Sequence, residues 1–180
     1  LKLINNIPIE ENKNNVTEID AEISNYEIEK TDKGIVLKKF VGFDKDEIVI
    51  PNTWDGDKIV EIGENAFAGC KEVKTIIVPN GVESIGNGAF SKCILLKKVV
   101  LPSNLQYLGE TVKKESNFRA SETVGVFEET AISTIIIPSE VKYIGTNCFS
   151  NCLNLLSINI PKSVKIIDEG AFFKCYRLKQ

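Results

Sequence analysis

Five times along this chain a three-residue run, aliphatic in all but one copy, ends in proline, and each run is followed by the same alternation of apolar and polar positions. The runs are Ile48-Val49-Ile50-Pro51, Ile76-Ile77-Val78-Pro79, Val99-Val100-Leu101-Pro102, Ile135-Ile136-Ile137-Pro138 and Ile158-Asn159-Ile160-Pro161. Branched aliphatic runs favour strands, and proline stops them. A second, shorter alternating piece follows, such as Val82-Glu83-Ser84-Ile85 or Val141-Lys142-Tyr143-Ile144. It predicts a short strand that ends at Gly63, Gly86, Gly109 or Gly145, with Asp168 in that place in the last unit. A compact turn such as Asn87-Gly88-Ala89-Phe90 closes each unit. Its aromatic residue recurs as Phe67, Phe90, Phe127, Phe149 and Phe172, which predicts a core column of stacked rings.

The repeat prolines lie 28, 23, 36 and 23 residues apart, so the basic unit is 23 residues long. The first spacing carries extra residues around Trp54-Asp55-Gly56-Asp57, and the third carries an insertion over 110–126. Stacking surfaces cannot absorb extra length, so both additions are expected to bulge as loops. A unit this short cannot bury its apolar face alone. The expected architecture is therefore a stacked solenoid, mainly β with short helical or 3-10 turns, whose units begin near 48, 76, 99, 135 and 158. Residues 26–47 contain two strand-like runs around Asp32-Lys33-Gly34 and fit an N-terminal hairpin cap, with the array itself over 48–180. Residues 1–25 read as a linker or loosely attached segment, and the array is expected to continue beyond Gln180.

Period-two alternation assigns faces. Ile76 and Val78, Val99 and Leu101, Ile135 and Ile137, and Ile158 and Ile160 should point inward. Val49, Ile77, Val100 and Ile136 then line the outer face, and Asn159 ends the row. Such a stripe marks either a partner-binding surface or ordinary strand propensity covered by another part of the chain. A second row is formed by Tyr107 and Tyr143, with Ile166 in the matching place of the last unit. Tyrosine's apolar body and polar tip suit protein or glycan contacts, and equally suit plain stacking along the solenoid. The long insertion adds Lys113, Lys114, Phe118 and Arg119, of which Phe118 and Arg119 are the candidate contacts, and recognition loops are often placed this way on rigid scaffolds. Trp54 reads as a lid over the cap junction or as an anchor.

Composition narrows the chemistry. The 180 residues hold 22 basic and 25 acidic side chains, with both signs mixed, so no basic footprint for nucleic acid is expected. No apolar run is long enough for a membrane span. Histidine is absent, which removes Ser-His and Cys-His nucleophile pairs and histidine metal sites. Cys70, Cys93, Cys152 and Cys175 each follow the repeat phenylalanine by three residues, with Thr130 in that place in the third unit. In-phase cysteines read as a buried ladder of free thiols, although neighbouring rungs could approach disulfide distance. Cys148 stands where other units have alanine. Asp44/Asp46 and Asp55/Asp57 lack the ligand set of a calcium loop. No cofactor or metal is expected, nor an enzyme.

The pattern CxxLxxIxIPxxVxxIGxxAFxxC resembles the BspA-like leucine-rich repeats. Residues 93–102 match its strand half, residues 84–93 match its turn half, and the likeness covers about 26–180. The resemblance implies a curved solenoid, secretion or surface display by a bacterium, and a role in adhesion. The function expected is a non-enzymatic module that binds host or neighbouring-cell proteins through a concave strand face and the inserted loop. A structural spacer and a glycan-binding module are the alternatives. The third unit, which lacks the AFxxC turn at the usual spacing, and Asp168 depart from the family pattern.

Overall fold

The structure, a computed structural model, describes residues 25–43, 45–109 and 122–179. It is a mainly-β solenoid of about five turns with almost no helix. A hairpin of β1 (Tyr26–Lys30) and β2 (Ile35–Phe40) opens the described chain, and its strands pair antiparallel. Each proline-ended run then contributes a strand of three residues: β3 (Glu47–Val49), β6 (Thr75–Ile77), β8 (Lys98–Val100), β10 (Thr134–Ile136) and β12 (Ser157–Asn159). The alternating pieces form a second column: β5 (Asp57–Ile62), β7 (Ser84–Ile85), β9 (Tyr107–Leu108), β11 (Tyr143–Ile144) and β13 (Ile166–Ile167). The second column runs unbroken and parallel from β2 through β5, β7, β9 and β11 to β13.

The extra residues of the first unit fold onto the array. β4 (Thr53–Trp54) pairs antiparallel with β5 across a two-residue turn, in which Asp55 (φ 46°) and Gly56 (φ 82°) both take positive φ. An Asp-Gly pair of this kind matches the right-handed twist of the strands it joins. Trp54 packs edge-on to Tyr26, with centroids 6.5 Å apart, so its ring covers the hairpin end of the core.

The phenylalanine column is present and longer than expected. Phe40, Phe67, Phe90, Phe127, Phe149 and Phe172 follow one another at centroid distances of 5.3–5.5 Å, and Tyr26 touches both Phe40 and Phe67. Phe67, Phe90, Phe127 and Phe149 are fully buried. The turns that carry these rings hold hydrogen bonds spanning three residues, such as Ala89 N to Gly86 O and Cys93 N to Phe90 O. They do not run on as helices, because Gly88 and Lys92 are left-handed. Lys92, Glu129, Asn151 and Lys174 recur in that conformation two residues after each ring, where Gly69 serves in the first unit.

The column of three-residue strands is where the structure departs from a regular stack. β3, β6 and β8 form one sheet and β10 with β12 another, and β8 is not bonded to β10. Twelve residues separate Phe67 from Pro79, Phe90 from Pro102 and Phe149 from Pro161, but eleven separate Phe127 from Pro138. The missing residue falls in the bend. Leu96 and Leu155 close that bend by donating to Cys93 and Cys152; Ile132, their counterpart, makes no such bond, and neither does Val73 in the first unit, where β6 still pairs on both sides. The rings and the short strands on either side of the long insertion remain stacked and paired.

Candidate binding surface

Alternation places the candidate residues as a register of the paired strands. Val49 lies opposite Ile77 and Ile77 opposite Val100; across the break, Ile136 lies opposite Asn159. Val49 (56%), Val100 (41%) and Ile136 (79%) are exposed, and Ile77 is half-buried between neighbours on both sides. Their inward neighbours Ile76, Val78, Ile135 and Ile137 are buried. Val99 and Leu101 point inward but are only half-buried. Ile160 is exposed in the last unit.

The row is therefore two apolar patches flanking a groove, where an unbroken stripe was expected. A cavity of about 490 Å³ lies between β8 and β10, walled by Val100, Leu101, Ile136 and Pro138. Sequence reasoning missed it. The signal was the eleven-residue interval from Phe127 to Pro138. A second dent of about 560 Å³ sits at the shortened bend, among Ile94, Thr130, Ala131 and Leu153.

Asn159 is exposed at the end of the row, but its amide is engaged. Its Oδ1 accepts from the Ile137 backbone N–H at 2.9 Å, and its Nδ2 donates to the Ile137 carbonyl at 3.3 Å. Tyr107 and Tyr143 sit opposite each other in adjacent short strands, both half-buried. The Tyr143 hydroxyl donates to Asp168 Oδ2. Asp168 keeps the backbone bond of the glycines it replaces, donating from its N–H to the Ile144 carbonyl. Phe118 and Arg119 lie outside the described residues.

The cysteines form a ladder of thiols. Cys93 donates to the Phe67 carbonyl, Cys152 to that of Phe127 and Cys175 to that of Phe149, at 3.0–3.2 Å. Thr130 bonds the Phe127 carbonyl within its own turn and touches Cys152 Sγ at 3.3 Å. None of the five cysteines is in a disulfide. Burial pushes the Cys152 thiol up to about 11 and raises those of Cys148 and Cys175. Protonated thiols are weak nucleophiles and poor metal ligands. Among the described residues no three His, Cys, Asp or Glu side chains converge as a metal would require, and no helix is long and apolar enough to cross a membrane.

Two strand columns, one ring per turn and one thiol or hydroxyl three residues later define a leucine-rich-repeat solenoid. The model of the BspA type leucine-rich repeat region matches residues 34–122 and 123–180 in six copies, and the chain belongs to that family. Phe40, the extra ring of the column, lies in the stretch that this match adds ahead of the first proline-ended strand. Among solved structures, the Leucine Rich Repeat protein of T. pallidum superposes with a TM-score of 0.74 at 28% identity, over 86% of this chain and 67% of that one. A leucine rich cell surface protein from Faecalibacterium prausnitzii superposes with a TM-score of 0.68 at 28% identity, over 84% of this chain. This chain spans only 36% of that relative's length. The pneumococcal vaccine antigen PcpA shares the fold at 16% identity, with a TM-score of 0.54 over 78% of this chain and 39% of that one. No curated protein matches the chain.

Proposed function

We propose that this chain is a non-enzymatic protein-binding module of a bacterial surface or secreted protein, and that it engages host or neighbouring-cell proteins through the face of three-residue strands. The observation that carries this reading is the outward row of Val49, Ile77, Val100 and Ile136 on a rigid stack. Exposed aliphatic area on both walls of a groove is costly in water and is retained where a partner covers it. The insertion over 110–126, which holds Phe118 and Arg119, belongs to this proposal as a second set of contacts. The cell-surface description of the F. prausnitzii relative supports display outside the cell.

A glycan reading leaned on tyrosine hydroxyls. The Tyr143 hydroxyl donates to Asp168, so toward a sugar it could only accept. The test is binding of the purified chain to immobilised extracellular-matrix and plasma proteins, beside the double variant Ile77→Asp/Ile136→Asp. The expected result is binding that the folded double variant loses. Unchanged binding would remove the strand face from the account, and no binding by the wild type would leave a spacer role.

A further inference from the structure

The break between β8 and β10 leaves main-chain hydrogen-bonding groups without a partner among the described residues. At the other junctions the units are stitched at both ends of the three-residue strands. Val78 N–H donates to the Val100 carbonyl, and Lys97 N–H donates to the Lys74 carbonyl. The counterparts across the break would join Leu101 N–H to the Ile136 carbonyl and Ser133 N–H to the Lys97 carbonyl. Neither bond is made. Two strand edges thus face each other across an apolar groove in the middle of the array, not at its end. Unpaired strand edges recruit extended chain, because main-chain bonds give affinity and pockets for alternate side chains give selectivity.

Charge selects among extended segments. Lys98 lines the groove at the end where the strands begin, and Lys97 beside it is exposed. Among the described residues no carboxylate lines the groove. A segment continuing the parallel order of the array would bring its N-terminal end to these lysines. An acidic residue there is complementary, and an aliphatic residue two positions on would reach Val100, Leu101 and Ile136.

We propose that the seam between β8 and β10 binds an extended peptide segment of a partner protein, which lies over the groove and pairs with one of the two strand edges, with an acidic residue ahead of an aliphatic one. This rests on the protein-binding reading above and names the place and the chemistry of its ligand.

The probe is acetyl-Glu-Thr-Val-Thr-Ser-amide, titrated into the full chain and followed by NMR. The expected result is saturable shifts at Val100, Leu101, Thr134 and Ile136. N-methylation of the central peptide nitrogens should weaken binding by about tenfold or more, since it removes donors while keeping side chains. One alanine inserted between Thr130 and Ala131 restores the twelve-residue interval and should close the seam, abolishing binding in a folded protein. Lys98→Glu should weaken the acidic probe and favour its lysine-substituted counterpart, and this charge swap decides the matter if the insertion variant does not fold. Absence of shifts, equal binding of the N-methylated probe, full binding by the folded insertion variant, or no charge swap would each overturn the proposal. Should the probe fail while extracellular proteins still bind in an Ile77- and Ile136-dependent way, the seam proposal falls and the strand-face reading stands. Loss of both would remove the reading itself.

Discussion

The hydroxyl of Tyr143 donates to the Asp168 carboxylate at 2.6 Å, tying one unit to the next across the short-strand column. This bond holds the Asp168 carboxyl below its ordinary value of 3.8, against the opposing effect of partial burial. A carboxylate depressed in the folded state stabilises above its unfolded pKa, and that stability is lost as pH falls through the folded value. Tyr143→Phe should therefore cost about 1 kcal/mol at neutral pH. Urea titrations should show the gap to wild type narrowing below about pH 4, as the carboxylate protonates in both proteins. A gap independent of pH would mean that the hydroxyl acts through packing alone.

Phe127 sits between Phe90 and Phe149 and links the units on either side of the long insertion. Phe127→Ala should destabilise by about 3–5 kcal/mol, the usual cost of emptying an aromatic core site. Stability in a stacked array is a sum of units and interfaces. The variant should accordingly unfold in two steps by circular dichroism, where the parent unfolds in one.

Cys152 is held protonated by burial, with its thiol near 11. A thiol whose folded value lies above its unfolded one stabilises fully below the unfolded value, and that stability is lost as pH rises through the folded one. Wild-type stability should decline between about pH 9 and 11, and Cys152→Ala should remove about 2 kcal/mol of that decline. Cys148 titrates in the same direction and leaves a residual slope. Folded protein at neutral pH should react with a thiol reagent only slowly at Cys148 and Cys152, which are both buried. Rapid modification would contradict the ladder.

Much of this molecule is legible in its sequence because stacked repeats turn linear spacing into spatial register. One phenylalanine per unit becomes one ring per layer, and Ile76 and Ile77 fall on opposite faces because strand side chains alternate. What stays hidden depends on interactions between units. Aligning on proline conceals that the interval from Phe127 to Pro138 is one residue short, because the insertion already makes that unit irregular. Alternation correctly turns Asn159 outward but cannot show that its amide is spent on the Ile137 main chain. Asp168 reads as a lost glycine until the Tyr143 hydroxyl is seen beside it.

The seam itself makes a prediction that needs no ligand. The amides of Leu101 and Ser133 bond no group among the described residues, and their counterparts Val78 and Leu156 are bonded to the next or preceding unit. Hydrogen exchange should be fast at Leu101 and Ser133 and slower at Val78 and Leu156. Inserting one alanine after Thr130 should slow the first pair toward the second. Uniform protection across all four would contradict the break.

The most direct test of the account is the footprint of a bound partner. The extracellular protein that binds most tightly to the purified chain should be added at saturation and hydrogen exchange followed along the array. The account predicts new protection in the segments 75–78, 98–103 and 134–139, with the phenylalanine turns unchanged. Protection confined to the turns, with those three segments exchanging as in the free protein, would contradict it.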